Sequence, residues 1–86
     1  MNLTFTPQSW DDYQHWQQTD KKILKRIHEL IKDTLRSPYD GIGKPEPLKQ
    51  ALSGYWSRRI TEEHRMVYRQ IESGIVVVQL RYHYQK

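Results

Sequence analysis

Hydrophobic and polar positions follow two different periods along this chain, and the change of period divides it. Ile23, Leu24, Ile27, Leu30, Ile31 and Leu35 recur at helical intervals, with Lys and Glu between them. That is the stripe of an amphipathic helix. Thr19-Asp20 supplies its start and Ser37-Pro38 its stop, because the residue before proline is driven out of helical geometry. Upstream, Trp10, Tyr13 and Trp16 fall on one side of a shorter helix over about residues 8–18. Thr6-Pro7 opens that helix, with Ser9-x-x-Asp12 as a competing capping signal. Before it, Leu3-Thr4-Phe5-Thr6 alternates and ends at Pro7, which predicts a short strand. Both helical stripes read as core.

Beyond residue 54 the period drops to two, and three strands are predicted over about 55–61, 64–71 and 75–83. Glu72-Ser73-Gly74 has the form of a three-residue hairpin loop, with glycine at the left-handed position. That loop pairs Ile71 with Ile75, Tyr68 with Val78, Met66 with Leu80 and Arg65 with Arg81. Met66, Tyr68, Val76, Val78 and Leu80 then share one face, and Arg65, Arg69, Arg81 and His83 the other. The preceding hairpin has two registers. A three-residue Thr61-Glu62-Glu63 loop sets Arg59 opposite Arg65; a two-residue Glu62-Glu63 loop puts them on opposite faces. Between helices and strands, residues 37–54 carry Pro38, Gly41, Gly43, Pro45, Pro47 and Gly54. Leu48-Lys49-Gln50-Ala51-Leu52 reads as a single helical turn inside this loop. So long a loop in a small domain is uncommon unless it has a function.

The chain has 86 residues, which predicts one domain spanning residues 1–86. A chain this short buries only roughly 60 % of the surface its unfolded form exposes, so its core is thin and a partner or second copy adds stability. Without cysteine, disulfides and thiolate zinc sites are excluded. No two histidines have the spacing of a helical metal site, and neither a metal nor another cofactor is expected. His15 and His28 fall on the exposed sides of the helices, and His64 adjoins a hairpin turn. No apolar run approaches the ~20 residues that span a membrane. Met1-Asn2-Leu3-Thr4-Phe5 has no signal-peptide pattern, and a cytoplasmic protein is expected.

The net charge is +4, and its placement is informative. Residues 1–45 hold seven basic and six acidic side chains, and residues 46–86 hold seven and four. Like charges facing each other across a sheet are unfavourable. Arginines 65 and 81, with His83 beside them, either splay into water or meet a polyanion. Arginine suits the second, since its planar fork binds phosphate oxygens in pairs. Arg58 and Arg59 on the preceding strand add to the same positive region.

RNA carries its own nucleophile in the 2′-hydroxyl. Cleavage needs a base to take that proton, an acid to protonate the departing 5′-oxygen, and positive charge on the transition state. Glu46, held between Pro45 and Pro47, is the candidate base. His83 is the candidate acid, imidazole being the side chain that titrates near neutrality. Arg65, with Arg59 and either Lys49 or Arg81, would stabilise the phosphate.

Several blocks, in order, resemble one known family: Ser9-Trp10-Asp11-Asp12-Tyr13, Gly43-Lys44-Pro45-Glu46-Pro47-Leu48, Leu52 through Ile60, Thr61-Glu62-Glu63-His64-Arg65-Met66-Val67-Tyr68, and Arg81-Tyr82-His83-Tyr84. The chain resembles YoeB-type toxins of the RelE/ParE superfamily, from bacterial type II toxin–antitoxin systems, over nearly its whole length. The resemblance implies an α+β, microbial-RNase-like fold: two N-terminal helices on a twisted antiparallel sheet of about four strands. It implies a metal-free endoribonuclease that cuts mRNA in the A site of the translating ribosome. It also implies a YefM-like antitoxin as partner, and a homodimer fits the thin core. By position, Glu46 matches the family's general base, His83 its general acid and Arg65 its transition-state arginine. Arg59, Tyr84 and Lys49 match further active-site positions. Arg58, Arg69 and Arg81, with Lys21, Lys22, Lys25, Arg26 and Lys32 of the second helix, are expected to meet ribosomal RNA through its phosphates. The family pattern commonly ends near Tyr84, whereas Gln85-Lys86 follow here.

Two other functions compete. A ParE-like gyrase inhibitor needs this fold but not the acid–base pair. An RNA-binding module would use Trp56, Tyr82 and Tyr84 to stack on bases without cutting.

Overall fold

Strand β1 (Asn2–Phe5) is followed by helices α1 (Pro7–Thr19) and α2 (Lys21–Arg36), then by β2 (Glu46–Pro47), a 3-10 turn (Gln50–Leu52), β3 (Trp56–Arg59), β4 (Arg65–Ile71) and β5 (Gly74–Gln79). The computed structural model describes residues 1–83. Thr6 caps α1, its Oγ1 accepting the Ser9 N–H at 3.3 Å, and Pro7 takes the first helical position. Asp20 caps α2 by accepting from Lys22 and Ile23 at 3.0 and 3.1 Å. The helix ends at Ser37, ahead of Pro38. Ile27, Leu30 and Ile31 of the α2 stripe are buried, with Ile23, Leu24 and Leu35 at its margin. On α1 only Trp16 is buried among the three aromatics; Trp10 is 48 % exposed and stacks on Tyr13.

The fold is α+β, two helices against one face of a sheet ordered β1-β5-β4-β3-β2. It departs from expectation in two ways. There are five strands, because Glu46 and Pro47 pair with Ser57 and Trp56 inside the segment expected to be loop. A two-residue strand has no periodicity to read, and proline is tolerated there because an edge strand can lack a ladder N–H. The sheet is also mixed, since β1 runs parallel to β5. Gly74 permits that pairing at its start: a Cβ there would collide with the backbone of Asn2.

The β4–β5 register is also corrected. Ile71 pairs with Gly74 across a two-residue Glu72-Ser73 loop, and Tyr68 pairs with Val77. A bulge then restores the expected register, so that Val67 faces Gln79. Val78 is the extra residue, and a bulge flips which side chains face inward. Ile75 and Val77 therefore enter the core in place of Val76 and Val78, while Leu80, beyond the bulge, is buried as expected. Strand β5 stops at Gln79. Arg81 and His83 lie in a turn, and the expected Arg65–Arg81 pair does not form. The cross-strand partner of Arg65 is Arg59, as the longer loop required.

Helix α1 satisfies the backbone that the bulge leaves unpaired. The Val77 carbonyl accepts the Ser9 hydroxyl at 2.6 Å and the Thr6 N–H at 3.1 Å. Asp12 Oδ2 accepts the Leu80 N–H at 3.0 Å, and Trp16 Nε1 donates to the Leu80 carbonyl at 2.8 Å. Burial pushes the Asp12 carboxyl above its usual value, the bond from Leu80 opposing. The Ser9-x-x-Asp12 pattern thus serves β5 rather than a helix start.

Arg58 is fully buried on the helix side of the sheet. Its Nε donates to the Tyr68 hydroxyl, Nη1 to Asp33 Oδ2 and the Ile42 carbonyl, and Nη2 to the carbonyls of Ser37 and Asp40, all between 2.6 and 3.2 Å. A guanidinium has five N–H groups, and every one is used. The expectation that Arg58 meets ribosomal RNA is corrected: strand alternation turns it inward and Arg59 outward. The side chain pins the loop after α2, and Gly41 lets that loop approach, since a Cβ there would collide with the Asp33 carboxylate. Bonds from Arg36, the Ile42 N–H and Arg58 hold the Asp33 carboxyl far below its usual range.

Candidate active site

The face of the sheet turned away from the helices carries the candidate chemistry. Residues directly opposite in a ladder share a face. The register makes one outward row of Glu46, Ser57, Val67 and Gln79, and beside it the pair Arg59 and Arg65. The floor of this face is covered despite lying off the helix side: Ser57, Arg65, Val67 and Gln79 are all buried. Glu46, Lys49, Arg59 and His83 are exposed around it. Next to the floor a cleft of about 330 Å³ is lined by Gln8, Ala51, Leu52, Tyr55, Val67, Val78 and Gln79.

His83 reaches this face through the turn that follows β5. Gln79 Nε2 donates to the carbonyls of Arg81, Tyr82 and His83 at 2.8, 3.2 and 2.8 Å. The Arg65 N–H donates to the Tyr82 carbonyl at 3.0 Å. The Tyr82 N–H donates to His64 Nδ1 at 2.7 Å. These bonds hold Tyr82 at a φ of 64°, a conformation that costs a non-glycine residue about 1–3 kcal/mol. At ~4.8 Å per strand, the Glu46 and Gln79 ends of the row are about 14 Å apart.

Arg65 is positioned by its own loop. Its Nη1 donates to the carbonyls of Thr61, Glu62 and His64 at 2.7, 2.9 and 3.1 Å. Among the described residues Nε and Nη2 have no acceptor. Both touch solvent, because no buried side-chain nitrogen or oxygen lacks a partner. One edge of the fork is fixed and the other is open to an anion.

The remaining candidates divide. Arg69 is exposed on the outward face, its guanidinium 5.7 Å from the Tyr55 ring. Arg81 lies 4.7 Å over the Tyr82 ring, within the turn. Lys21, Lys22, Lys25 and Lys32 are exposed on α2, in the layer across the sheet from Glu46 and Arg65. Arg26 leans to the sheet edge and donates to the Arg59 carbonyl at 3.3 Å. Tyr84 lies outside the described residues. Gln79 and His64 were not among the sequence candidates. A lone glutamine in the run Ile75-Val76-Val77-Val78-Gln79-Leu80 is the signal for the first: a polar amide within an apolar strand needs partners. Among the described residues no three His, Asp or Glu side chains are placed to hold a metal ion, and no helix is long and apolar enough to cross a membrane.

Residues 5–84 match the model of the YoeB-like toxins of bacterial type II toxin–antitoxin systems. The toxin YoeB of Escherichia coli (strain K12) is 60 % identical over 84 residues, 98 % of this chain and 100 % of the relative. A YoeB/ParE toxin from Agrobacterium tumefaciens superposes with a TM-score of 0.94 at 51 % identity, covering 98 % of this chain and 100 % of that one. A Staphylococcus aureus YoeB has been solved as a dimer, with a TM-score of 0.91 at 49 % identity, and in a YoeB–YefM complex, with 0.90 at 48 %; each covers 98 % of both chains.

Proposed function

The chain belongs to the YoeB-like toxins of bacterial type II toxin–antitoxin systems, and on that premise we propose that it is an endoribonuclease acting on mRNA in the A site of the translating ribosome. Glu46 takes the proton of the 2′-hydroxyl. The freed oxygen attacks the adjacent phosphorus, and His83 protonates the leaving 5′-oxygen. Arg65, with Arg59 beside it and Lys49 near the rim, meets the charge that builds on the phosphoryl oxygens. No metal ion enters the scheme, because the substrate supplies the nucleophile. The products are a 2′,3′-cyclic phosphate and a 5′-hydroxyl.

The observation that carries this reading is the outward row. It sets Glu46 at one end and Gln79, which holds the His83 backbone, at the other. The half-open fork of Arg65 lies in the neighbouring row. The ~14 Å between the two ends of the row leaves room for one phosphodiester. The exposed lysines of α2, with Arg69 and Arg81, dock the protein on ribosomal RNA. By likeness to the Staphylococcus aureus protein, this chain pairs with a second copy and is neutralised by a YefM-like antitoxin.

Primer extension on a defined mRNA in purified translating ribosomes tests the proposal, with wild type beside His83→Gln. New 5′-hydroxyl ends at A-site codons are expected with wild type alone. Full-length mRNA in both lanes, with growth still arrested in cells, would point instead to a gyrase inhibitor. Translation arrest by both proteins without cutting would point to an RNA-binding module.

A further inference from the structure

His64 stands outside the acid–base set, yet it grips the turn that carries His83. Its Nδ1 accepts the Tyr82 N–H at 2.7 Å, so in this geometry the ring is neutral with its proton on Nε2. The ring sits edge-on to Trp16, centroids 4.9 Å apart at 72°. Trp16 is itself tied to the Leu80 carbonyl. Tyr82 is in a left-handed conformation that is costly for a non-glycine residue, a cost that contacts from outside the turn offset. Gln79 and the Arg65 N–H grip its carbonyl side, and among the described residues only His64 grips its N–H. Of these contacts only the last can be switched by a proton, because a protonated imidazole has no acceptor and would set N–H against N–H.

We propose that His64 is a positioning residue for His83: its neutral imidazole clasps the Tyr82 turn, and protonating it opens the turn and withdraws His83 from Glu46 and Arg65. The proposal rests on the nuclease reading above, and it gives cleavage an acidic limit set by a residue that never touches RNA.

The surroundings of His64 set the direction. Burial is the largest influence and lowers its pKa. Arg81 and His83 from the turn and His15 from α1 act the same way, while Glu63 in its own loop opposes them. A histidine lowered in the folded state binds fewer protons there than in the unfolded chain. Its contribution is therefore complete above about pH 6.5, the ordinary histidine value, and is lost as pH falls through the lowered one. The clasp is closed at neutrality and opens on acidification.

Two variants and two readouts test this. His64→Asn places an amide oxygen near the position of Nδ1 and cannot titrate; His64→Phe keeps the ring against Trp16 and removes the acceptor. The Tyr82 amide resonance and the His64 ring are followed by NMR over about pH 5–8, and cleavage on programmed ribosomes over the same span. In wild type the Tyr82 amide moves with the His64 titration, and cleavage falls with it. His64→Asn cuts, with its acidic fall displaced to lower pH. His64→Phe loses on the order of 10²-fold at every pH, as a displaced catalytic group does. A Tyr82 amide indifferent to His64, or a His64→Phe protein with the wild-type profile, overturns the proposal. Coupled Tyr82 and His64 titrations in a chain that cuts no RNA uphold the clasp and overturn the nuclease reading instead.

Discussion

Arg58 and Arg65 stand on neighbouring strands and are used in opposite ways. Arg58 faces the helices, with five N–H groups on five protein acceptors. Arg65 faces the other way, with Nη1 on three carbonyls of its own loop and the rest of the fork without a partner among the described residues. Both are buried, so burial alone does not tell them apart. The fraction of the guanidinium already matched does. A saturated fork staples a loop to a sheet, whereas a half-matched one is aimed and still able to bind.

The same substitution at both positions gives the largest contrast. Lysine keeps the charge but replaces a five-donor fork by one ammonium. Arg58→Lys leaves buried acceptors unmet and weakens a buried ion pair, for which a loss of about 3–5 kcal/mol is expected. Against a typical total of ~5–15 kcal/mol, much of the chain unfolds at modest urea. Arg65→Lys can still reach the Thr61 and Glu62 carbonyls, so its unfolding free energy from urea melts falls by only about 1 kcal/mol. Its cleavage on ribosomes drops about 10²–10³-fold, as for loss of a transition-state donor. If Arg65→Lys cuts like wild type, or Arg58→Lys melts like it, the distinction between the two arginines fails.

A second, smaller effect is expected where the outward face holds His83. Gln79→Leu keeps the bulk and removes the donor shared by three carbonyls. A stability loss of about 1–2 kcal/mol should accompany a fall in cleavage of about 10–10²-fold, from misplacement of the acid. Loss of stability with an unaltered cleavage rate would mean that the turn does not set His83.

These contrasts also mark what was legible beforehand. Both helices, their caps and the apolar stripe of α2 could be read directly, because helical periodicity and capping are local. The Arg59–Arg65 pairing was one of two registers that the loop allowed. The bulge at Val78 could not be read: it depends on α1 supplying Ser9, Asp12 and Trp16 to the backbone of residues 77 and 80, which is a long-range event. The two-residue strand holding Glu46 was hidden for want of length, although its flanking prolines had already singled out the glutamate. Arg58 looked like its neighbour Arg59 because a charged residue in a strand reads as outward. Its burial requires an acceptor set from residues 33–42, far away in sequence.

The smallest effect should appear in acid, on the helix side alone. Asp33 holds the Arg58 cluster, and its carboxyl is lowered from 3.8 by Arg36, the Ile42 N–H and Arg58, in that order. A carboxyl lowered by folding contributes stability that is whole above its unfolded value and is lost as pH falls through the folded one. Wild type should therefore lose stability on acidification below about pH 4 more steeply than Asp33→Asn, and the gap between them should narrow. Urea midpoints for the two proteins at pH 6 and pH 3 (about two units above and one below that onset) measure the gap. Equal slopes would mean that the Arg58 cluster is held by the loop carbonyls with little help from the carboxylate. The inward arginine would then owe its place to hydrogen-bond count rather than to charge, which separates it still further from Arg65.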